Sequence, residues 1–310
     1  MDVRQIRYFV YVAKLRSFSK AAQVLNVAQP ALSRQIQLLE DELRVKLLFR
    51  TTRGVQPTDA GLTLLEMGQT LLNYVEQMRE AVTHSSRHPH GSVTLGVPPS
   101  LSSSLGQAVV EECRRVYPDV DLRVTEGLSV FLQEWLKLGR IDIAILTEDD
   151  EIASLTNTPL AVEEMMLVGG AGLARPGHDT IPLGEVAKLD LTLTQGFRRI
   201  VDRCIEPTGV QLHYVGEFNS IPILKELLAS GFCTTILPCT LVRQRGFSDN
   251  LTVLRIIDPA LERILVTSVN PARPLTSAIK AVRETIANAA RDLGMTPPSR
   301  GLRRAAAHHD

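Results

Sequence analysis

Three apolar stripes at helical spacing, separated by two short breaks, occupy the start of the chain and leave few ways to fold it. Val3, Ile6, Phe9, Val10 and Ala13 predict one amphipathic helix over residues 3–15. Ser17-Phe18-Ser19 interrupts it, and Ser19 is the expected N-cap of a short second helix packed through Ala21, Ala22, Val24 and Leu25. Asn26-Val27 then makes a tight turn into a third helix. Pro30 suits its first turn, where a missing N–H costs nothing, and Ala31, Leu32, Ile36 and Leu39 form its apolar stripe. Gln29, Ser33, Arg34 and Gln37 fall on the opposite, polar face. A short helix, a tight turn and a helix presenting amide, hydroxyl and guanidinium groups near its N-terminus form a helix-turn-helix, whose second member enters the major groove of DNA.

Residues 45–50 read as a short strand, and Thr51-Thr52-Arg53-Gly54-Val55-Gln56-Pro57 as a basic β-turn returning from it, a wing. Thr58 is expected to cap a long helix. In it Leu64, Leu71 and Met78 alternate with Gly68, Val75 and Val82 at heptad spacing, a seam that predicts dimerisation through a partner helix. The competing reading is a helix packed on its own domain. The helical pattern fades over residues 85–91, the expected hinge.

From Ser92 onward short apolar runs alternate with helical patterns, which predicts a mostly parallel sheet with helices on its faces, in two lobes with a ligand between them. Strands are expected at 93–97, 122–125, 141–146, 166–168, 191–193, 213–218, 234–237, 251–256 and 264–269. Helices are expected at 101–117, 131–138, 221–229 and 275–293. Loops at the carboxyl ends of such strands offer hydroxyls and free helix N–H groups to an anion. Ser100, Ser102, Thr125, Thr147, Thr194 and Gln195 are therefore the candidate effector-binding residues, suited to a small carboxylate or another polar metabolite. Each could equally serve only to cap a helix.

Charge sharpens the division. The 310 residues carry 34 basic and 34 acidic side chains, so the net charge is zero. Residues 1–58, however, hold ten basic against four acidic side chains, a surplus of +6 that leaves −6 on the remainder. A basic head on an acidic body is what one expects when one end meets phosphate and the other does something else. The four cysteines stand without a CxxC pair, which fits reduced thiols in the cytoplasm. The N-terminus lacks the order of a secretory signal, and no apolar run is long enough for a bilayer, so no membrane partner is expected. GxSxG, Walker, HExxH and CxxC motifs are absent, so no enzyme and no cofactor is expected. His84 and His88, four apart, lack a third ligand and read as ordinary exposed histidines rather than a metal site.

The stretches Phe18-Ser19-Lys20-Ala21-Ala22-Gln23-Val24-Leu25, Ala28-Gln29-Pro30-Ala31-Leu32-Ser33-Arg34-Gln35-Ile36 and Leu47-Leu48-Phe49-Arg50-Thr51-Thr52-Arg53-Gly54 resemble the LysR-type transcriptional regulators. Residues 28–33 are similar to the branch containing the nitrogen-assimilation control regulator. The resemblance covers nearly the whole chain. It implies an α/β protein: an all-α winged helix-turn-helix over 1–58 and a linker and dimerisation helix with hinge over 59–90. A two-lobed α/β domain like periplasmic binding proteins would follow over 91–298, with lobe I at 91–162 and 267–298, lobe II at 163–266, and a disordered tail at 299–310. It further implies a homodimer or homotetramer on double-stranded promoter DNA, a small-molecule effector and contact with RNA polymerase.

Carried residue by residue, Gln29, Pro30, Ser33 and Arg34 match major-groove positions and Arg53 the minor-groove position of the wing. Chemically, Arg34 can pair with guanine O6/N7 and Gln29 with adenine N6/N7, while Thr51 and Thr52 suit phosphates. Arg34 could instead hold a phosphate. Three residues depart from the family pattern. Ala28 replaces a common capping Ser, a loss of about 1 kcal/mol, and Arg44 and Cys233 replace glycines. Two other classes fit less well: a solute-binding transport component with a helical head, and an enzyme with a DNA-binding appendage.

Overall fold

The computed structural model describes residues 1–51, 54–83, 88–148, 152–173, 177–244, 247 and 251–298. Thr52, Arg53, His84, residues 85–87 of the expected hinge and the tail 299–310 lie outside the described residues. The chain divides into two units, a head made of residues 1–86 with 273–276, and a body made of the rest.

In the head, α1 (Val3–Leu15) starts at a capping box. Gln5 N–H donates to Asp2 Oδ1 (2.7 Å), and Asp2 N–H to Gln5 Oε1 (3.0 Å). α1 ends at Arg16 in the left-handed region, and α2 (Phe18–Leu25) ends likewise at Asn26. The cap of α2 is Ser17, not the expected Ser19. Ser17 has extended backbone and accepts from Lys20 N–H at 3.3 Å, while Phe18 is already helical and packs on the head core. α3 (Gln29–Leu43) buries Leu32, Ile36 and Leu39 beside Phe9 and Val10 of α1. Ala28 caps it without a side-chain bond. Arg44 takes the left-handed turn (φ 54°) that a glycine would adopt without strain, so the helix still ends there.

The wing pairs β1 (Leu48–Thr51) with β2 (Gly54–Pro57), antiparallel. β1 is shorter than the expected strand because the N–H groups of Leu47 and Leu48 are spent on the buried Glu40 carboxylate, at 2.9 and 3.2 Å. Lys46 Nζ adds a third bond at 2.6 Å. Burial pushes the Glu40 carboxyl up, but the Lys46 and backbone hydrogen bonds outweigh it and hold the pKa below the ordinary value. Thr58 caps α4 (Asp59–Thr83), accepting from Gly61 N–H at 3.0 Å.

α4 crosses α1 closely at Gly68, where a β-carbon would stand 2.9 Å from Ile6 Cγ2. The heptad stripe is therefore shared out. Leu64 is half-buried and packs on the head core, and Gly68 is covered by α1. Val75 is half-buried, while Leu71 (37% exposed), Met78 (42%) and Val82 (80%) face outward.

The body begins with β3 (Gly91–Val97). The expected helix 101–117 is broken into α5 (Pro99–Leu101), a π-turn at Ser102–Gly106 and α6 (Gln107–Val116). Consecutive serines explain the break, since the hydroxyls of Ser102 and Ser104 reach back to the carbonyls of Pro98 and Leu101. β4 (Val120–Glu126), α7 (Ser129–Lys137), β5 (Ile143–Thr147) and β6 (Thr156–Gly169) follow. Then come β7 (Thr180–Pro182), α8 (Leu183–Val186), β8 (Asp190–Leu193), α9 (Gln195–Ile205), β9 (His213–Glu217) and α10 (Ile221–Ala229). β10 (Thr235–Pro238), α11 (Cys239–Val242), β11 (Thr252–Ile257), β12 (Glu262–Val269) and α12 (Ser277–Asp292) complete the body.

The sheet is mixed rather than mostly parallel. β3 lies parallel to β4 and β5, and β7 to β11, but β6 runs antiparallel to β10, β11 and β12, and β12 antiparallel to β5; β8 and β9 form a separate parallel pair. Fourteen-residue β6 explains this. Its first part pairs with β12 in one lobe and its end with β10 and β11 in the other, so the chain that returns must run against it. Only 166–168 reads as strand in the sequence, because Pro159, Glu163 and Glu164 interrupt the apolar pattern upstream; the register shifts opposite Pro159.

Glu40→Gln tests the wing anchor. Because the folded pKa is lowered, the charged carboxylate contributes stability above the ordinary value of 4.5 and loses it as pH falls through the folded value. At pH 7 the variant should exchange the Leu47 and Leu48 amide protons roughly tenfold faster in full-length protein, about 1.4 kcal/mol. That difference from wild type should shrink at pH 3.

Candidate nucleic-acid interface and ligand cleft

α3 owes its orientation to the spacing of Leu32, Ile36 and Leu39, which turns one side into the core. The other side carries exposed Gln29, Pro30, Arg34 and Gln37, with Ser33 half-buried between them. Ser19 Oγ donates to Gln29 Oε1 at 3.0 Å. The Ser19 hydroxyl thus holds the amide oxygen of the exposed first residue of α3. At 15 residues and about 1.5 Å per residue, α3 is about 22 Å long, and its width matches a B-DNA major groove. Thr51 ends β1 at the wing tip.

Between the lobes of the body lies a cleft of about 360 Å³. Four of the six expected residues line it: Ser100, Thr147, Thr194 and Gln195. Thr194 caps α9, accepting from Phe197 N–H at 3.3 Å, and Gln195 N–H donates to Asn219 Oδ1 at 3.1 Å. Ser102 and Thr125 do not line it. The Ser102 hydroxyl is turned to Pro98 O within the π-turn, and strand alternation on β4 sends Glu126 rather than Thr125 to the cleft.

Three arginines complete the lining: Arg199 and Arg203, one turn apart on α9, and Arg263 on β12. Arg203 Nη1 donates to Glu148 O at 3.2 Å. Arg263 is buried with Glu163 (side chains 2% and 1% exposed). Its Nη2 and Nε lie 2.7 and 2.8 Å from Glu163 Oε2, and Nη2 also donates to Ser100 Oγ at 3.3 Å. Glu163 Oε1 accepts Thr240 N–H at 2.8 Å. The guanidinium lies 5.8 Å from the Phe197 ring centroid.

The i, i+4 spacing of Arg199 and Arg203 was legible in the sequence, because Phe197, Ile200, Val201, Cys204 and Ile205 recur at helical spacing and mark 195–205 as an amphipathic helix. Ser129, Asn219 and Ser220 bring the starts of α7 and α10 to the same cleft. Convergent helix N-termini and guanidinium groups favour an anion. Burial raises the pKa of all four thiols, Cys113, Cys204, Cys233 and Cys239, which disfavours the reactive thiolate. Among the described residues no cluster of three His, Cys, Asp or Glu could hold a metal, and no helix is long and apolar enough to cross a membrane.

Residues 3–62 match the family described as "Bacterial regulatory helix-turn-helix protein, lysR family", and residues 86–291 match the "LysR substrate binding domain". The chain belongs to the LysR family. It is a DNA-binding transcriptional regulator with an effector-binding domain, and the family is one of regulators, not enzymes. The nitrogen assimilation regulatory protein nac of Klebsiella aerogenes is 31% identical over 92% of this chain and 94% of its own. An OxyR variant from Corynebacterium glutamicum shares the fold at a TM-score of 0.67 and 22% identity, over 95% of this chain and 96% of that one. Full-length CbnR, solved with its target DNA, does so at 0.57 and 20%, over 94% and 100%.

The buried pair ties the stability of the body to Arg263. Arg263→Met should destabilise the body by about 3–5 kcal/mol in urea unfolding, because Glu163 is left charged and unpaired. The double variant Glu163→Met, Arg263→Met should recover most of that loss.

Proposed function

We propose that this regulator reads promoter DNA through the exposed face of α3. Gln29 and Arg34 contact base edges, Pro30, Ser33 and Gln37 flank them, Thr51 and Thr52 hold phosphates, and Arg53 enters the minor groove. The observation that carries the reading is the outward face of α3, with Gln29 held by Ser19 at 3.0 Å, on a head with a +6 charge surplus. The complex of CbnR with its target DNA supports the same use of the fold. The functional segments are the head over 1–58, the linker helix and hinge over 59–90, and the effector domain over 91–298.

Leu71, Met78 and Val82, exposed on α4, join Val75 in pairing two copies, with Leu64 contributing from its half-buried position. Pairs assemble into a homotetramer in the cytoplasm that engages RNA polymerase. The effector is a small anion with an apolar body, a carboxylate being the simplest. Arg199, Arg203 and the helix N-termini hold its charge, while Ile200 and Phe197 cover the remainder.

Binding to a selected operator should weaken steeply with salt, and Arg34→Ala should cost about 1–3 kcal/mol and relax preference at one base pair. Salt-independent binding with unchanged preference would rule the reading out. For the cleft, a panel of small carboxylates measured by calorimetry should include one whose affinity drops roughly 10–100-fold in Arg203→Ala. Equal affinities across wild type and variant would exclude the arginine wall as the anion site.

A further inference from the structure

Arg16 ends α1 at φ 52°, a conformation glycine enters freely and a β-carbon resists. Its side chain is exposed, and among the described residues no ion pair holds its guanidinium. A strained backbone position that keeps a long cation does not by itself assign it a task; its surroundings must.

The surroundings of Arg16 say which task. On one side, the next residue, Ser17, caps α2, and α2 carries the Ser19 that holds Gln29. On the other, Arg16 O accepts Val55 N–H at 3.0 Å on β2, next to the tip of the wing. The wing comes so close there that a β-carbon on Gly54 would stand 2.7 Å from the Arg16 carbonyl oxygen. Arg16 therefore sits where the groove-facing helix pair and the wing strands meet. On duplex DNA the sugar–phosphate ridge is what separates the major groove from the minor. A head with α3 in one groove and its wing in the next must straddle that ridge, so an exposed cation lying between α2 and the wing is placed to reach it.

We infer that Arg16 is a backbone clamp: its guanidinium binds a phosphate on the ridge between the two grooves and fixes the register of α3 without reading sequence. The inference rests on the reading of α3 as the base-contacting helix. Arg44 supplies an internal control. It takes the same left-handed conformation (φ 54°) and is equally exposed, but it ends α3 at the far side from Gln29, about 22 Å away.

The test compares full-length Arg16→Gly, Arg16→Gln, Arg16→Lys, Arg44→Gly and Arg34→Ala on a selected operator duplex and on a mixed-sequence duplex, across a range of salt. Arg16→Gly and Arg44→Gly should both melt at or above the wild-type temperature, because glycine relieves the turn. Only the Arg16 variants to Gly and Gln should lose affinity, by about eightfold per bound head at 0.1 M salt, with the salt slope reduced by about 0.9 per head. The loss should be equal on both duplexes, and Arg16→Lys should keep most of the slope. Salt slopes for Arg16→Gly and Arg16→Gln that match Arg44→Gly would overturn the clamp, as would an affinity loss confined to the operator. Arg34→Ala separates the two readings: unchanged base preference there removes α3 as the reader, while the Arg16 slope still decides the phosphate contact.

Discussion

The Glu40 carboxylate joins the end of α3 to the beginning of the wing. One oxygen takes the N–H groups of Leu47 and Leu48, and the other takes Lys46. Those N–H groups would otherwise be orphaned where the chain leaves a helix and has not yet reached a strand partner. With them satisfied, β1 starts at Leu48, and β2 returns to meet Arg16 O. The spacing between α3 and the wing thus follows from one buried side chain.

A second buried carboxylate organises the body. Glu163 lies on β6, the long strand that passes from one lobe to the other, and its partner Arg263 lies on the antiparallel β12. The pair spans neighbouring strands at the floor of the cleft and reaches Ser100 on one side and Thr240 on the other. The carboxylate and Ser100 hold this buried guanidinium in one orientation, so its donor set at the cleft is fixed rather than mobile. The more exposed Arg199 and Arg203 on α9 supply the adaptable part of the same wall.

Much of this was readable beforehand, in proportion to how local each signal is. The stripe on α3 and its polar face follow from a 3.6-residue period, and α10 occupies the residues its pattern predicts. The N-cap of α2 was misplaced by two residues because Ser17 and Ser19 are chemically equivalent caps. What separates them is the packing of Phe18 into the head core. Strand direction is not legible in the sequence, because alternating strands and helices look alike whether the chain returns parallel or not. Thr125 and Ser102 were chosen by chemistry and excluded by strand alternation and by a π-turn. Nothing in the spacing of residues 195–263 signals that arginines 60 positions apart would share one cleft.

Alone, the order of residues determined the four helices of the head and α7, α10 and α12 of the body, which face of α3 is polar, that a basic head precedes an acidic body, and to which family the chain belongs. These depend on periodicity, composition and motifs, all of which act between neighbours in the chain. The tertiary structure decided the pairing of Glu163 with Arg263, the mixed sheet, the sharing of the α4 stripe between head core and open surface, and the junction of Arg16 with the wing. Each is a contact between residues far apart in the chain, selected because buried charges must find partners and because backbone groups that leave water must find hydrogen bonds.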